Sequence, residues 1–267
     1  MATTPENSSV ITYRHCESEA DYAACEALQA ATWGDDDVVP MTFLTASQEI
    51  GGVLAGAFDS SNRMLGLVFG TPGIREERLM HWSHMLAVVP EARGLGLGYG
   101  LKTFQRDALA TAGFDEMFWT YDPLESINAH LNINRLGARP VEYVENVYGD
   151  GSANLLHQGL GTDRFVVRWA FKKQVDADGV AGANDAPVLN SVQDEVSNVS
   201  IPNDARCVRV EAPRDVQALK KDQPDQAAAW RRSTREAFQL GLESGFAVTG
   251  FHRTDDGRCF YTMEIDR

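Results

Sequence analysis

The hydrophobic positions of the chain recur with either the two-residue period of a strand or the 3.6-residue period of a helix. The pattern therefore predicts a mixture of strands and helices. Compact or alternating apolar runs predict strands at residues 10–15, 53–58, 63–69, 85–89, 117–121, 141–148 and 164–172. Apolar residues at helical spacing predict helices at residues 18–34, 41–50, 101–109 and 126–136. The resulting order, β-α-α-β-β-β-α-β-α-β-β, indicates an α/β fold over residues 1–173.

The last third of the chain changes in composition before it becomes regular again. Residues 174–205 contain neither Lys nor Arg and are rich in Gly, Ala, Asp, Ser and Asn, which predicts a linker or a loop excursion. Residues 206–267 then predict a β-α-α-β-β segment, with strands at 207–210, 246–252 and 259–265 and helices at 213–221 and 226–242. We expect this C-terminal segment to pack on residues 1–173 as an accessory layer, although it could instead form the surface of a homodimer.

The stretch from His84 to Lys102 places a strand, a glycine loop and a helix in succession. Pro90 cannot extend a sheet ladder and ends the strand, and the loop then has glycine at positions 94, 96, 98 and 100. Apolar residues return at helical spacing from Leu101, so a helix begins within or just after the glycines. Glycines let the backbone approach a phosphate, and the first-turn N–H groups point at it. The stretch therefore predicts an anion site, to which Arg93 adds positive charge.

Spacing excludes the two common nucleotide motifs. The dinucleotide pattern GxGxxG fails because Tyr99 stands where the third glycine would follow Gly94 and Gly96. The P-loop pattern fails because Leu101 stands where a glycine would precede Lys102. The glycine loop therefore matches neither of these nucleotide-binding motifs.

Charge and cysteine content limit the partners of the chain. Asp and Glu outnumber Lys and Arg by 38 to 24, and a net charge of −14 argues against nucleic acid as a partner. The acidic excess favours a cationic, amine-bearing acceptor, although it suits solubility equally well. The four cysteines form no CxxC pair, which predicts neither a metal site nor a disulfide framework. Residues 1–10 are polar and no apolar run reaches membrane-spanning length, so we expect a cytoplasmic protein with no membrane partner.

Arg93, Gly96 and Gly98 form an R-x-x-G-x-G signature, and the preceding LAVVPEARG resembles strand 4 of the GNAT N-acetyltransferase superfamily. The stretches TYDPLESINAHLNINRLGA, GLGTDRFVVRW and AAWRRSTREAF resemble a bacterial subgroup of that superfamily over nearly the whole chain. The resemblance implies the GNAT acyl-CoA N-acyltransferase fold, a mixed central sheet flanked by helices, with the C-terminal β-α-α-β-β extension added.

The same resemblance implies a coenzyme A site and a reaction. Loop amides would bind the pyrophosphate, and the strand backbone would pair with the pantetheine arm. The residues so implied are Leu86, Ala87, Val88, Arg93, Gly94, Leu95, Gly96, Leu97 and Gly98. Three hypotheses stay open: acetyl transfer from acetyl-CoA to a small-molecule amine or amino acid, succinyl transfer from succinyl-CoA to an amino acid, and non-catalytic acyl-CoA binding in a regulatory protein.

Attack of an amine on a thioester needs a base, an oxyanion donor and a proton for the leaving thiolate. His84 is the candidate base because residues 84 and 86 share one strand face, and the family geometry implies the backbone N–H of Leu86 as the donor. The tyrosine that supplies the proton in the family aligns with Ile133, which cannot donate one. Either Tyr121 or Tyr148 substitutes, or the thiolate leaves without help from the protein.

Other polar residues are candidates for ligand contacts. Asn128 and Asn132 lie four apart on one predicted helix face, and the resemblance implies that Asn128 contacts the coenzyme. Asp122 follows a predicted strand and could hold the ammonium of the acceptor for catalysis, although Asp-Pro is also a plain turn. Arg164 could clamp the carboxylate of an amino-acid acceptor, or form a surface salt bridge.

Overall fold

The computed structural model describes residues 10–149, 160–172, 185–190 and 200–265. Contacts divide the chain into two compact units, Met1–Met117 and Phe118–Arg267. Each unit contains strands, helices and buried apolar side chains of its own.

The first unit is an antiparallel sheet with three helices. Its strands are β1 (Thr12–His15), β2 (Val53–Phe58), β3 (Met64–Arg75) and β4 (Arg78–Val88). Its helices are α1 (Glu19–Trp33), α2 (Met41–Glu49) and α3 (Leu97–Thr111). The strands pair in chain order, each antiparallel to the next. The predicted order β-α-α-β-β-β-α is therefore confirmed for this part of the chain.

Apolar side chains cover both faces of this sheet, as the continuous apolar run of β2 indicates. On one face, Leu54 and Phe69 share a buried cluster with Cys25 of α1. On the other face, Val68 shares a cluster with Leu101 of α3. Burial of such side chains contributes roughly 1.5–3 kcal/mol each. The core thus fixes α3, and with it the glycine loop that precedes the helix.

The hairpin of β3 and β4 is longer than the sequence predicts. Its turn lies at Glu76 and Glu77, which have φ of 52° and 61°. Two successive positive φ values are typical of the two-residue type I′ turn, which usually contains Asn or Gly. The Glu-Glu pair carries no such signal, so the outer half of each strand was missed.

The second unit contains two groups of strands. Its first group has the order β5-β7-β6, formed by β5 (Glu116–Tyr121, which begins in the first unit), β6 (Arg139–Val144) and β7 (Arg164–Ala170). Its second group has the order β8-β10-β9, formed by β8 (Cys207–Ala212), β9 (Phe246–Arg253) and β10 (Cys259–Ile265). Its helices are α4 (Ser126–Ala129), α5 (Val216–Asp222) and α6 (Pro224–Glu243). The predicted β-α-α-β-β order of the C-terminal extension is confirmed.

Aromatic side chains join these two groups of strands. Phe165 of β7 lies with its ring centroid 4.7 Å from that of Phe238 on α6 and 5.8 Å from that of Tyr261 on β10. Tyr121 of β5 and Phe251 of β9 complete the cluster, at 5.9 Å from Phe165 and 4.8 Å from Tyr261 respectively. The C-terminal extension therefore shares a buried aromatic cluster with β5 and β7.

The predicted linker, residues 174–205, lies largely outside the described residues. Within it, residues 185–190 run beside β8: the Arg209 amide donates to the Pro187 carbonyl at 2.7 Å, and the Leu189 amide donates to the Arg209 carbonyl at 2.8 Å. The division of the chain at residues 173 and 205 stays a prediction. Among the helices described, none combines the length and the apolarity needed to cross a membrane.

The predicted capping box at the start of α1 is present and is extended by an ion pair. Ser18 accepts a hydrogen bond from the Asp21 amide at 3.2 Å, and Asp21 accepts one from the Ser18 amide. The buried Asp21 carboxylate also accepts from Arg14 at 2.8 and 2.9 Å. Hydrogen bonds from Arg14, aided by the Glu17 and Ser18 amides, lower the pKa of Asp21 well below 3.8.

We predict that Asp21→Asn lowers the free energy of unfolding at pH 7 by about 2 kcal/mol, because the charge-assisted bonds to Arg14 are lost. A carboxyl with a depressed folded-state pKa stabilises the protein above its unfolded pKa, and this contribution disappears as the pH falls toward the folded value. Urea unfolding should therefore show the difference between variant and wild type shrinking below pH 4. Glu19→Gln, an exposed position in the same helical turn, serves as the control. Equal effects of the two substitutions at pH 7 would contradict the assignment.

Candidate functional site

The predicted anion site is the loop at residues 93–96 together with the first turn of α3, all within the first unit. Gly94 and Gly96 have φ of 84° and 79°, a left-handed conformation that favours glycine. Gly96 is the N-cap of α3 and makes no side-chain capping bond. The amides that begin at Leu97 therefore have no acceptor within the helix and can receive the oxygen atoms of an anion.

Side chains around the loop divide into an exposed group and an anchoring group. Arg93 and Leu95 are exposed, Leu95 to 65%, whereas Leu97 is buried and packs in the core. Gly100 serves packing rather than binding, since a Cβ there would lie 2.1 Å from the hydroxyl of Tyr13. The alternating glycines thus have different purposes: two shape the loop, and a third makes room for β1.

Strand β4 contains a bulge at His84. Phe69 of β3 is paired with Met85 and Gly70 with Ser83, so His84 is an extra residue between two registered pairs. Ser83 and Met85 are buried, whereas His84 is exposed. The bulge corrects the prediction of a regular strand in which residues 84 and 86 share one face: the His84 ring meets Phe69, which belongs to the cluster with α1, whereas Leu86 packs in the cluster with α3.

The surroundings of His84 are aromatic. Its ring meets the edge of the Phe69 ring at 6.4 Å between centroids, and Phe69 meets Phe43 of α2 at 6.5 Å. Although the side chain reaches the surface, burial of the rest of the ring lowers the pKa of His84 below 6.5. The imidazole is therefore neutral at pH 7 and can accept a proton. The predicted coenzyme-binding residues of the same strand, all paired with β3, are Leu86, Ala87 and Val88.

The other predicted site residues lie in the second unit, where Asp122 belongs to a buried ion cluster. Its carboxylate accepts from Arg231 of α6 at 2.5 Å and from the Leu124 amide at 2.9 Å, and lies 3.7 Å from Arg164. Burial alone would raise the pKa of Asp122, but the two guanidinium groups and the amide lower it below 3.8. Asp122 is therefore ionised and already paired with cations of its own chain.

Arg164 lies in the same cluster and is buried rather than on the surface. Its guanidinium donates to the Asp163 carbonyl at 2.7 Å and lies 5.3 Å from the centre of the Tyr148 ring. The Asp163 carboxylate accepts two bonds from Arg235 of α6, at 2.7 and 2.8 Å. The structure thus brings three of the predicted residues together: Asp122, Tyr148 and Arg164.

The two tyrosines that could replace the missing acid have different surroundings. Tyr148 is 52% exposed, and its amide donates to the Thr162 hydroxyl at 2.9 Å. Tyr121 is buried and its hydroxyl donates to that of Tyr261 at 3.4 Å, which in turn donates to the Pro123 carbonyl at 2.7 Å. Burial raises the pKa of Tyr121 above 10. Of the two hydroxyls, only that of Tyr148 belongs to an exposed side chain.

Helix α4 continues as a π-helical turn over His130–Arg135, where the Leu136 amide donates to the carbonyl of Leu131, five residues earlier. The two asparagines predicted to share one helix face, Asn128 and Asn132, differ in burial, which corrects that prediction. Asn128 is exposed, whereas Asn132 is buried and accepts from the Trp119 indole at 3.2 Å. Ile133, at the position of the family's acid, is also buried.

Sequence reasoning missed two arginines of the ion cluster, Arg231 and Arg235. They stand four apart on α6 and meet carboxylates 109 and 72 residues away. The only signal was the run AAWRRSTREAF, in which two arginines at i, i+4 share a helix face. Among the residues described, no cluster of three His, Cys, Asp or Glu side chains is arranged to hold a metal ion.

We predict that Arg231→Met lowers the free energy of unfolding by roughly 3–5 kcal/mol, because it leaves the Asp122 carboxylate, only 12% exposed, short of a cation. Adding Asp122→Asn should restore part of that loss, since the unpaired charge is removed with its partner. Urea unfolding of the two single variants and the double variant measures the coupling. Arg232→Met, exposed on the same helix, is the matched control. Additive losses in the double variant would contradict the pairing.

Comparisons with known proteins find the fold but no close relative. No protein-family model matches the chain, and no curated protein matches it. The solved structure of yncA from Salmonella typhimurium, described as an acetyltransferase with its cofactor acetyl-CoA, matches with a TM-score of 0.50 and 18% identity, over 64% of this chain and 100% of that one.

Two further solved structures match over a similar length. The ribosomal-protein-S18-alanine N-acetyltransferase from Escherichia coli matches with a TM-score of 0.48 and 13% identity, over 64% of this chain and 99% of that one. A protein assigned to the GNAT acetyltransferases from Desulfovibrio desulfuricans matches with a TM-score of 0.47 and 14% identity, over 60% of this chain and 99% of that one. The predicted fold class is confirmed: the chain has the α/β fold of the GNAT acyl-CoA N-acyltransferases.

Proposed function

We propose that this protein is a coenzyme A-dependent N-acyltransferase that transfers an acetyl group to the amine of a small molecule or amino acid. One observation carries the proposal: a loop shaped by Gly94 and Gly96 leads into an uncapped α3 on a chain with the GNAT fold. Such a turn offers convergent N–H donors to a pyrophosphate. The solved structure that supports the fold contains acetyl-CoA, which is the ligand that we propose here.

The described residues fit coenzyme A at this loop. The amides of Leu97 and Gly98 lie in the first turn of α3, and Arg93 is exposed beside them to pair with a phosphate. Leu95 is exposed at the same loop, and we propose that Asn128, exposed on α4, also contacts the coenzyme. When bound, an acyl-CoA supplies the thioester that the acceptor amine attacks.

The residues of β4 supply the chemistry in this proposal. His84 is neutral at pH 7, because burial lowers its pKa, and it can take the proton that the acceptor ammonium must lose before attack. The backbone of Leu86, Ala87 and Val88 follows on the same strand and would align the pantetheine arm. The amide of Leu86 would stabilise the charge that develops on the thioester oxygen.

The ion cluster of the second unit supports an acceptor with a carboxylate. Arg164 is held by the Asp163 carbonyl and by Asp122, which gives its guanidinium a fixed orientation. We propose that Arg164 binds the acceptor carboxylate and that Tyr148, exposed beside it, donates a proton to the leaving thiolate. Because Asp122 already has cationic partners in the chain, we propose that it positions Arg164 rather than binding the ammonium directly.

We predict that Arg93→Glu weakens coenzyme A binding at least tenfold, because a carboxylate replaces a cation beside the loop amides. Arg93 is exposed, so the fold should be unaffected. Isothermal titration with coenzyme A measures the dissociation constant. Arg78→Glu makes the same charge change at an exposed residue at the start of β4, beside the hairpin turn, and should bind like wild type. Equal affinity of both variants would place the pyrophosphate elsewhere.

We predict that His84→Ala lowers kcat by about a hundredfold if His84 is the general base. Thiol release from acetyl-CoA in the presence of an acceptor amine measures this rate. Wild-type kcat/KM should rise with pH through a pKa below 6.5, as the imidazole loses its proton, and the inflection should vanish in the variant. His84→Gln keeps the size of the side chain without its basicity. Full activity in both variants would exclude His84 as the base.

A further inference from the structure

Four polar side chains lie buried together in the first unit, between α3 and β4. They are His81 and Ser83 of β4 and Lys102 and Gln105 of α3, none more than 4% exposed. Lys102 donates to the Ser83 hydroxyl at 2.8 Å, and that hydroxyl lies 2.6 Å from the carbonyl oxygen of Gln105. The Gln105 amide nitrogen lies 3.4 Å from Nε2 of His81. We call this set the β4–α3 polar chain.

The hydrogen bonds of this polar chain alternate between α3 and β4. The Lys102 amine donates to the Ser83 hydroxyl, which donates its own proton to the Gln105 oxygen, and burial lowers the pKa of Lys102 well below its ordinary value. With the Gln105 amide nitrogen donating, Nε2 of His81 accepts and the ring proton stands on Nδ1, which has no hydrogen-bond partner among the described residues. Burial and the nearby Lys102 lower the pKa of His81 to about 4, which keeps the ring neutral, as that arrangement requires.

The backbone opposite Ser83 is shaped to fit this polar chain. Gly70 of β3 is paired with Ser83. A Cβ at Gly70 would lie 2.3 Å from Nε2 of His81 and 2.9 Å from the Gln105 amide nitrogen. Only glycine leaves room there for both polar side chains. The strand pair is thus adapted to buried polar groups, which are costly unless their bonds are made.

The position of the polar chain links the two parts of the proposed coenzyme site. Ser83 immediately precedes the bulged residue His84, and Lys102 is the sixth residue of α3, whose N-terminus holds the glycine loop. A bulge locally disrupts the hydrogen bonds of the sheet ladder and bends its strand. A hydrogen bond from the neighbouring side chain can hold the bent backbone in one position. The Ser83 hydroxyl is the point at which helix and bulge are joined.

We propose that the β4–α3 polar chain is a positioning device: by holding Ser83 against α3, it aligns the bulged backbone of β4 with the glycine loop. The pyrophosphate end and the thioester end of one acyl-CoA are then held in register. This inference rests on the proposed function. It adds Ser83, Lys102 and Gln105 as positioning residues that act through the backbone at His84 and Leu86. None of them needs to touch the ligand.

Two probes separate the ends of the coenzyme. Adenosine 3′-phosphate 5′-diphosphate carries the pyrophosphate without the pantetheine arm, and acetyl-CoA carries both. In Ser83→Ala, isothermal titration should show an unchanged affinity for adenosine 3′-phosphate 5′-diphosphate. The affinity for acetyl-CoA should fall about tenfold, because the backbone of β4 is no longer aligned with the pantetheine arm. Thiol release should fall with it in kcat.

Thr103→Val is the matched control. Thr103 lies on α3 next to Lys102, and among the residues described its buried hydroxyl finds no hydrogen-bond partner, so removing it breaks no bond of the polar chain. Both probes should bind this variant as they bind wild type. Ser83→Thr keeps the hydroxyl and should bind acetyl-CoA as wild type does. If Ser83 acted only through packing, the added methyl group would disturb binding although the hydroxyl is kept.

The outcomes separate this inference from the proposed function. If wild type binds neither probe, the proposed function fails and the inference with it. If wild type binds both and Ser83→Ala does too, or loses both equally, the function stands and the positioning role is overturned. Should Ser83→Ala not fold, Lys102→Met gives the same test, since replacing a buried cation by an apolar side chain of similar length is often tolerated. Unchanged affinity for both probes in Lys102→Met would equally overturn the proposal.

Discussion

The first turn of α3 is the constraint on which the first unit depends. A helix N-terminus with no capping side chain leaves N–H groups without acceptors, which is tolerable where water or an anion reaches them. The preceding glycines keep side chains away from those groups, and the burial of Leu97 and Leu101 prevents the helix from shifting. The polar chain from Lys102 to His81 joins the same helix to the bulged strand. Loop, helix and strand are thus joined through the core and the polar chain.

The second unit depends on a different balance, between an aromatic core and an ion cluster. The rings of Phe165, Phe238 and Tyr261 pack closely and bury a large apolar area. Because Phe238 lies on α6, this burial stabilises the packing of α6 against the strands. Arg231 and Arg235 then fix the orientation of α6 through the carboxylates of Asp122 and Asp163. Ion pairs with a buried member add little net stability, but removing one partner is costly. The C-terminal extension is therefore integral to the packing of β5 and β7.

Elements with strong local signals could be predicted from the sequence. The run at Val53–Phe58 and the capping box at Ser18 each have a period or a cap that decides the structure locally. The hairpin at Glu76 could not be predicted, because its turn adopts positive φ without the usual Asn or Gly. The π-helical turn after Ala129 and the bulge at His84 leave no mark in the residue pattern. Arg231 meets Asp122 only through tertiary packing, across 109 residues.

The central claim is that the loop at residues 93–96 and the start of α3 bind an acyl-CoA. Isothermal titration of the full chain with coenzyme A, acetyl-CoA and succinyl-CoA tests it most directly. We predict saturable binding at one site per chain, with acetyl-CoA bound at least as tightly as succinyl-CoA. Preference for succinyl-CoA would keep the site and change the acyl group. Absence of binding to all three would contradict the account, because the uncapped helix and its glycine loop would then hold no coenzyme.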